Sequence, residues 1–211
     1  MSNETRKYTK RRRAESEQET RLRITEAAVA LHGSIGPART TISAVADKAG
    51  VQRATVYRHF PDDESLFAAC SGHYAALNPP PDLTAWTDEK DVDARLRRAL
   101  TEMYSWYART EPMLENVVRD APVVPAMGAA VARRLAYLDM VLDVLLSGRH
   151  ERGHARRRVK AALAHAFAFP TWQSLVRDNG LKEAEAVSLM AAMVEAAGRP
   201  APTRAGLTNH L

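Results

Sequence analysis

The sequence predicts an all-α protein of about nine helices, a small N-terminal three-helix helix-turn-helix domain followed by a larger C-terminal helical bundle. Apolar residues recur with the helical period, and no segment alternates with period two as a strand would. The stretch AGVQRATVYRHF, residues 49–60, places a glycine turn before a short helix rich in hydrogen-bond donors. The stretch NPPPDLTAW, residues 78–86, holds three consecutive prolines, which end a helix and separate two domains.

The N-terminal domain begins with a helix predicted over residues 17–35 and stopped by Gly36-Pro37. Its apolar stripe consists of Ile24, Ala27, Ala28, Leu31 and Ile35. Thr40 and Thr41 offer capping hydroxyls to a second helix that ends at Ala49.

The next two helices have clear boundaries. Gly50 ends the second helix, and a third is predicted over residues 52–59, before Pro61. Asp62 is placed to cap a fourth helix, residues 63–76.

The body is predicted as a series of helices broken by proline and glycine. APVVP, residues 121–125, and Asn179-Gly180 are breaks, and Pro170 is expected to kink the helix that contains it. The predicted helices cover residues 88–109, 111–120, 127–146, 154–178 and 182–197.

These elements give four regions. Residues 1–15 are interpreted as a flexible basic arm and residues 16–77 as a helix-turn-helix domain. Residues 83–198 are the body, and residues 199–211 a flexible tail.

Positive charge is concentrated at the N-terminal end. The first 60 residues hold 12 Lys and Arg against 6 Asp and Glu, while the rest hold 18 against 19. Such asymmetry favours a polyanion-binding end on a near-neutral body. KYTKRRR, residues 7–13, has two interpretations, a solvated tail or an arm that follows DNA phosphates or enters a minor groove.

Composition argues against several other classes. One cysteine excludes an intrachain disulfide, and the chain has neither a long apolar run nor a secretory leader pattern, so we expect a cytoplasmic protein without membrane contact. His150 and His154 are four residues apart, but Gly153 weakens a helix there and neighbouring arginines repel a cation. No catalytic motif, cofactor or metal site is therefore expected.

DNA binding best explains the composition of the stretch AGVQRATVYRHF, residues 49–60. Gly50 can take the positive φ of the turn, Ala46 is small where helices cross, and Val45, Val51 and Val56 are expected to be buried. The remaining side chains of the third helix are polar and lack acids, which suits a major groove. An ordinary charged surface helix is the alternative.

Residues 22–67 resemble the DNA-binding region of the TetR family of bacterial regulators. The resemblance is carried by ITEAAVALHGSIG, TTISAVADKAGVQRATVYRHF and ESLF, and it covers about a fifth of the chain. It implies that Gln52, Arg53 and Thr55 face bases, that Tyr57 and Thr41 contact phosphates, and that His59 lies near the backbone. With Arg58, the candidate DNA-binding residues are Thr41, Gln52, Arg53, Thr55, Tyr57, Arg58 and His59.

Two positions depart from the family pattern. Gln52 stands where Ser or Thr is usual and is a poorer helix cap. Asp63 stands where a lysine commonly points at a phosphate, which puts that one contact in doubt.

Aromatic and methionine side chains are concentrated in the body. They have two interpretations, an ordinary hydrophobic core or the lining of an apolar effector pocket. The candidate ligand-binding residues are Met103, Trp106, Tyr107, Met113, Val117, Leu138, His165, Phe169 and Trp172. Tyr104, Tyr107, His165 and Gln173 are candidate polar groups, and His165 is interpreted as a buried core histidine or a ligand contact.

The resemblance also implies a homodimer through the last two long helices. Val187, Met190, Ala191, Val194 and Ala197, with Ala161, Ala162, Leu163 and Ala166, are predicted to form its face. The sequence thus indicates a dimeric repressor that a small apolar or aromatic effector releases from a palindromic double-stranded operator. An architectural DNA-binding protein without a switch is the alternative, and an enzyme is a more distant one.

Overall fold

The computed structural model describes residues 3–199, with side chains from residue 7 onward, and this part of the chain forms ten α-helices and no strand. They are α1 Asn3–Ser34, α2 Ile42–Ala49, α3 Arg53–His59, α4 Asp63–Leu77, α5 Thr84–Asp88, α6 Val92–Asp120, α7 Gly128–Leu146, α8 Gly153–Ala166, α9 Phe169–Gln173 and α10 Glu183–Gly198. The all-α prediction is confirmed. The predicted C-terminal tail lies outside the described residues, apart from Arg199.

The helices fall into two compact units, and their boundary runs through α6. One unit comprises Met1–Pro79 with Thr110–Leu135, and the other comprises Pro80–Arg109 with Ala136–Leu211. One division, between Pro79 and Pro80, falls within the proline stretch.

In the first unit, α1 packs against α2 and α4 over a small apolar core. The core contains Ile24, Ala27, Ala28, Val45, Ala46, Ala49, Val56, Phe60, Leu66 and Cys70. Ile35 was predicted to extend this stripe but is exposed, because α1 ends at Ser34.

Cys70 is buried in that core, with its Sγ 3.8 Å from the backbone oxygen of Thr25. Burial raises the pKa of its thiol to about 12, since a thiolate there would lose its hydration.

Helix α1 begins at Asn3, whereas the sequence predicted a flexible arm over residues 1–15. The segment has neither proline nor glycine before Gly33, and ion pairs at i,i+4 support the helix. Arg11 Nε lies 2.8 Å from Glu15 Oε1, and Arg13 Nε lies 3.5 Å from Glu17 Oε1. Residues 3–15 are therefore an extension of the first helix.

Helix α6 is continuous, although two helices were predicted on either side of Thr110. Pro112 lies inside it and costs one backbone hydrogen bond, about 3 kcal/mol in a helix interior. Buried residues on both sides of the proline, including Tyr107 and Leu114, hold the helix through this defect.

The predicted helix over residues 154–178 is interrupted rather than kinked. Helix α8 ends at Ala166, and Pro170 occupies the first turn of α9, where a missing N–H is tolerated. The hydroxyls of Tyr104 and Tyr107 donate to the backbone oxygens of Ala166 and Phe167, at 2.9 and 2.5 Å. Carbonyl groups at the end of α8 are thereby satisfied from α6.

Helices α8 and α10 pack against each other within the second unit. Four residues of the predicted α10 dimer face are buried within the chain, namely Val187, Met190, Ala191 and Val194. Leu163 and Ala166 of α8 are buried as well. Six of the nine predicted residues are therefore core, whereas Ala161 is exposed and Ala162 and Ala197 are half-buried, so most of the predicted face is covered within one chain.

None of the helices in the described part of the chain has the length and hydropathy needed to cross a bilayer.

Candidate nucleic-acid interface

The candidate interface is built on the turn between α2 and α3. Gly50 has φ 66°, and the N–H of Val51 donates to the backbone oxygen of Ala46 at 3.0 Å. A Cβ at residue 50 would meet nothing within 4 Å, so the position requires glycine for its backbone conformation and not for space. The predicted role of Gly50 is confirmed.

Side-chain caps fix the beginnings of α2 and α4. Thr41 Oγ1 accepts the N–H of Ala44 at 3.1 Å, and Asp62 Oδ1 accepts that of Ser65 at 2.7 Å. Gln52 stands at the N-cap of α3 without a side-chain capping bond, as expected from its poor capping ability.

Helix α3 divides into a buried and an exposed side. Val56 and Phe60 are buried in the core, whereas Tyr57 is 48% exposed. Gln52, Arg53 and Arg58 are exposed as well, while Thr55 and His59 are half-buried.

The exposed side chains of α3 are donors without internal acceptors. Within residues 7–199, the side chains of Gln52, Arg53, Tyr57 and Arg58 have neither a hydrogen bond nor an ion pair to another group of the chain. Thr41 uses its oxygen as an acceptor, which leaves its O–H available to an external acceptor. The surface therefore offers two guanidinium groups, an amide and hydroxyl groups, with no acid on α3 itself.

Arg21 is a structural residue that the sequence reasoning missed. Its Nη1 donates to the backbone oxygen of His59, and its guanidinium carbon lies 4.1 Å from the ring centroid of Phe60. It thus anchors the C-terminal end of α3 to α1. Its place three residues before Ile24, at the edge of the buried stripe, was the available signal.

His59 points partly into the protein. Its Nε2 is buried without a hydrogen-bond partner in the described residues. Burial and then the nearby charges of Arg58 and Arg21 lower its pKa, so the ring is neutral at pH 7.

The C-terminal part of α6 contacts the end of α1 and the loop that follows it, inside the same unit. Asn116 Nδ2 donates to the backbone oxygens of His32 and Gly33 at 2.9 and 3.0 Å. Asp120 Oδ2 accepts the N–H of Ala38 at 2.9 Å. These bonds connect α6 directly to the frame that carries α2 and α3.

In the second unit, four of the predicted ligand-binding side chains come together. The ring of Tyr107 lies 5.6, 5.3 and 6.1 Å from those of Trp106, Phe169 and Trp172, centroid to centroid. We call these four residues the aromatic cluster. Met103 of the same unit is also buried, and Leu138 is half-buried.

The other predicted ligand-binding residues are placed differently. Met113 and Val117 belong to the first unit, where a Cβ on Gly33 would lie 3.6 Å from Met113 Cε. His165 is exposed, so its interpretation as a buried core histidine was wrong. The helical period put it beside buried residues, but α8 turns it outward, with Nδ1 3.4 Å from Thr171 Oγ1.

These features define a helix-turn-helix DNA-binding protein with a second all-α unit. Residues 24–70 match the family model described as bacterial regulatory proteins, tetR family. The matched segment is 47 of the 211 residues, and over this helix-turn-helix region the chain is similar to the TetR family of bacterial transcriptional regulators.

Solved structures share the fold at low sequence identity. A TetR-like transcriptional regulator from Rhodococcus sp. RHA1 has a TM-score of 0.60 and 18% identity, over 85% of this chain and 97% of that one. A TetR transcription regulator from Haloarcula marismortui has a TM-score of 0.58 and 17% identity, over 85% and 98% of the two chains. The fatty acid degradation regulator FadR from Bacillus halodurans has a TM-score of 0.53 and 17% identity, over 83% and 94%. No curated protein matches the sequence significantly.

Proposed function

We propose that the protein is a cytoplasmic, dimeric repressor that holds a palindromic operator through α3 of each copy and leaves it when a small apolar or aromatic effector binds. In this proposal residues 16–77 bind DNA, and residues 83–198 bind the effector and the second copy. The observation that carries it is the exposed, acid-free side of α3, whose donors have no acceptor within the described part of the chain.

The chemistry of α3 suits a major groove. In this proposal Arg53, the first residue of α3, donates two hydrogen bonds to guanine O6 and N7, and Gln52, at its N-cap, pairs with adenine. Tyr57 and Thr41 supply hydroxyl groups to phosphates. Each base contact of this kind contributes about 1–3 kcal/mol of discrimination.

The proposed dimer uses the outer faces of α8 and α10. Leu189 is 48% exposed on α10, next to exposed Ala192, and α8 exposes Ala161 and Ala164. Small side chains let helices approach closely, as a four-helix interface requires. A two-fold dimer then presents two recognition helices to two half-sites.

The proposed effector site is the aromatic cluster. Trp172 is fully buried, and its Nε1 has no hydrogen-bond partner in the described residues. An aromatic effector with a hydrogen-bond acceptor satisfies this N–H, whereas the Tyr107 hydroxyl is already used by Phe167.

Helix α6 is the element through which the two events are coupled in this proposal. It contributes Trp106 and Tyr107 to the aromatic cluster, while its Asn116 bonds the end of α1 and its Asp120 bonds the loop that follows. The effector acts by binding more tightly to the DNA-incompetent form. A shift from 99:1 to 1:99 requires a preference of about 5.5 kcal/mol.

The DNA part is tested by selecting bound DNA from a random pool, with a palindromic consensus as the expected result. Arg53→Ala is expected to lose about 1–3 kcal/mol of discrimination at one base position. Tyr57→Phe should weaken binding about equally on all sequences. Arg109→Ala removes one exposed charge from the second unit and is the control. An unchanged consensus with Arg53→Ala refutes its role, and a specificity ratio below about 10³ favours the architectural alternative.

The effector part is tested with a panel of aromatic compounds, scored for tryptophan quenching and for release of operator DNA. Compounds with an acceptor should lose affinity for Trp172→Phe, which keeps an aromatic ring and removes the N–H. Quenching without release contradicts the switch and leaves the site standing.

A further inference from the structure

A cleft of about 790 Å³ opens on the helix-turn-helix unit, and none of the residues of the aromatic cluster lines it. Its walls are the beginning of α2, the beginning of α4 and residues 123–126, which follow α6. All of these segments belong to the first unit. The volume lies in the range of about 300–1,000 Å³ that is typical of small-molecule sites.

The charge of this cleft is negative. Asp62, Asp63 and Glu64 line it, and its lining includes neither lysine nor arginine. Asp62 caps α4, but Asp63 and Glu64 have no ion-pair or hydrogen-bond partner for their side chains among residues 7–199. The positive end of α4 offsets roughly half an elementary charge, so a negative field remains.

Other residues that line the cleft are apolar. His32 stacks on Phe67, with ring centroids 4.8 Å apart and planes at 10°. Val123, Val124 and Pro125 line the cleft as well. His32 is only 5% exposed, and its ring nitrogens have no hydrogen-bond partner in the described part of the chain. Burial lowers its pKa to about 4, so it adds no positive charge at pH 7.

We propose that this cleft binds an organic cation with a bulky apolar body, the cation lying toward the three carboxylates and the body against Phe67 and Pro125. Neither feature alone selects such a ligand, but apolar side chains and unpaired carboxylates in one cleft select against neutral and anionic molecules of the same shape. This site is separate from the effector site proposed for the aromatic cluster.

A bound cation also stands in the way of DNA. Thr41 and Tyr57 line the same cleft, and both carry the hydroxyl groups assigned to operator phosphates. This second step rests on the proposed function, whereas binding of the cation to the free protein does not.

The probe is tetraphenylphosphonium, with tetraphenylborate as a match of nearly equal shape and opposite charge. Isothermal titration calorimetry of the full chain without DNA is expected to show binding of the cation. The affinity for the anion should be lower by about tenfold or more. The variant Asp63→Asn/Glu64→Gln should weaken the cation about fivefold, which is roughly what two unit charges about 8 Å away contribute in water. Asp139→Asn/Asp143→Asn removes two exposed charges from α7 and should leave the affinity unchanged.

A second variant tests whether the cation binds in this cleft, by filling the cleft with a larger side chain. Ala126→Phe places a ring in the cleft and should abolish binding, with circular dichroism and thermal unfolding used to check the fold. The proposal is overturned if the cation does not bind, if both probes bind equally, or if neither variant changes the affinity. Displacement of selected operator DNA by the cation supports the second step, and binding to free protein without displacement overturns that step alone.

Discussion

Acidification is predicted to destabilise the first unit through His32. In the folded chain, burial lowers the pKa of this ring to about 4, against about 6.5 in an unfolded chain, while nearby Asp120 opposes part of the shift. Below pH 6.5 His32 therefore binds a proton in the unfolded chain but stays neutral in the folded chain until the pH approaches 4. Its contribution to stability is fully present above pH 6.5 and is lost progressively as the pH falls to 4.

The size of the effect follows from these two values. The full shift corresponds to about 3 kcal/mol, and between pH 7.5 and pH 5.0 about 2 kcal/mol of it is lost. His32→Phe keeps a ring that can stack on Phe67 and removes the titration, so it should lack this component.

The measurement is urea unfolding at both pH values, followed by far-UV circular dichroism at one protein concentration. The wild-type chain should lose about 2 kcal/mol more than His32→Phe on going to pH 5.0. His150→Phe makes the same change at an exposed loop position and is the matched control. An equal loss in the wild type and His32→Phe would show that the buried ring does not resist protonation.

Substitutions at three further positions have defined outcomes. Gly36→Ala should cost about 1–3 kcal/mol in unfolding experiments, since residue 36 has φ 92° and a Cβ there would clash with the side chains of Arg119 and Asp120. A neutral effect would contradict the positive φ. Asp63→Lys should tighten operator binding and steepen the salt dependence by about one phosphate equivalent, and an unchanged slope would mean that this side chain faces away from DNA. Asp62→Ala should lower stability by about 1 kcal/mol and Asp62→Asn by much less; equal losses would argue against the cap to Ser65.

The helix-turn-helix unit could be predicted from sequence because its signals are local. Thr41, Gly50 and Asp62 each mark a boundary through their own backbone or side-chain chemistry, and the structure uses all three in that way. The exposed side of α3 could be predicted because Val56 and Phe60 mark the side of the helix that is buried.

The body was harder to predict because its breaks depend on distant contacts. Pro112 is tolerated inside α6, whereas Pro170 begins a new helix, and no rule based on proline alone distinguishes them. The break after α8 is stabilised by hydroxyl groups about 60 residues away in sequence, those of Tyr104 and Tyr107.

The dimer face was predicted incorrectly for a related reason. Helix α10 is apolar on most of its circumference, so periodicity could not say which side the chain would bury. The structure assigns Ala191 and Val194 to the core and leaves Leu189 exposed. Small residues on both sides made the two possibilities look equivalent.

Alkylation of Cys70, the single cysteine, can report how often the helix-turn-helix unit opens. Cys70 lies in the centre of the helix-turn-helix core, and its thiol is protonated as well as covered, so alkylating reagents reach it only when α1 and α4 separate. Its rate of modification therefore measures how often this unit opens under native conditions. For the same reason, a cysteine introduced on the exposed side of α3 can be labelled selectively without first replacing Cys70. Distances between labelled copies on and off DNA then become measurable in an otherwise native chain.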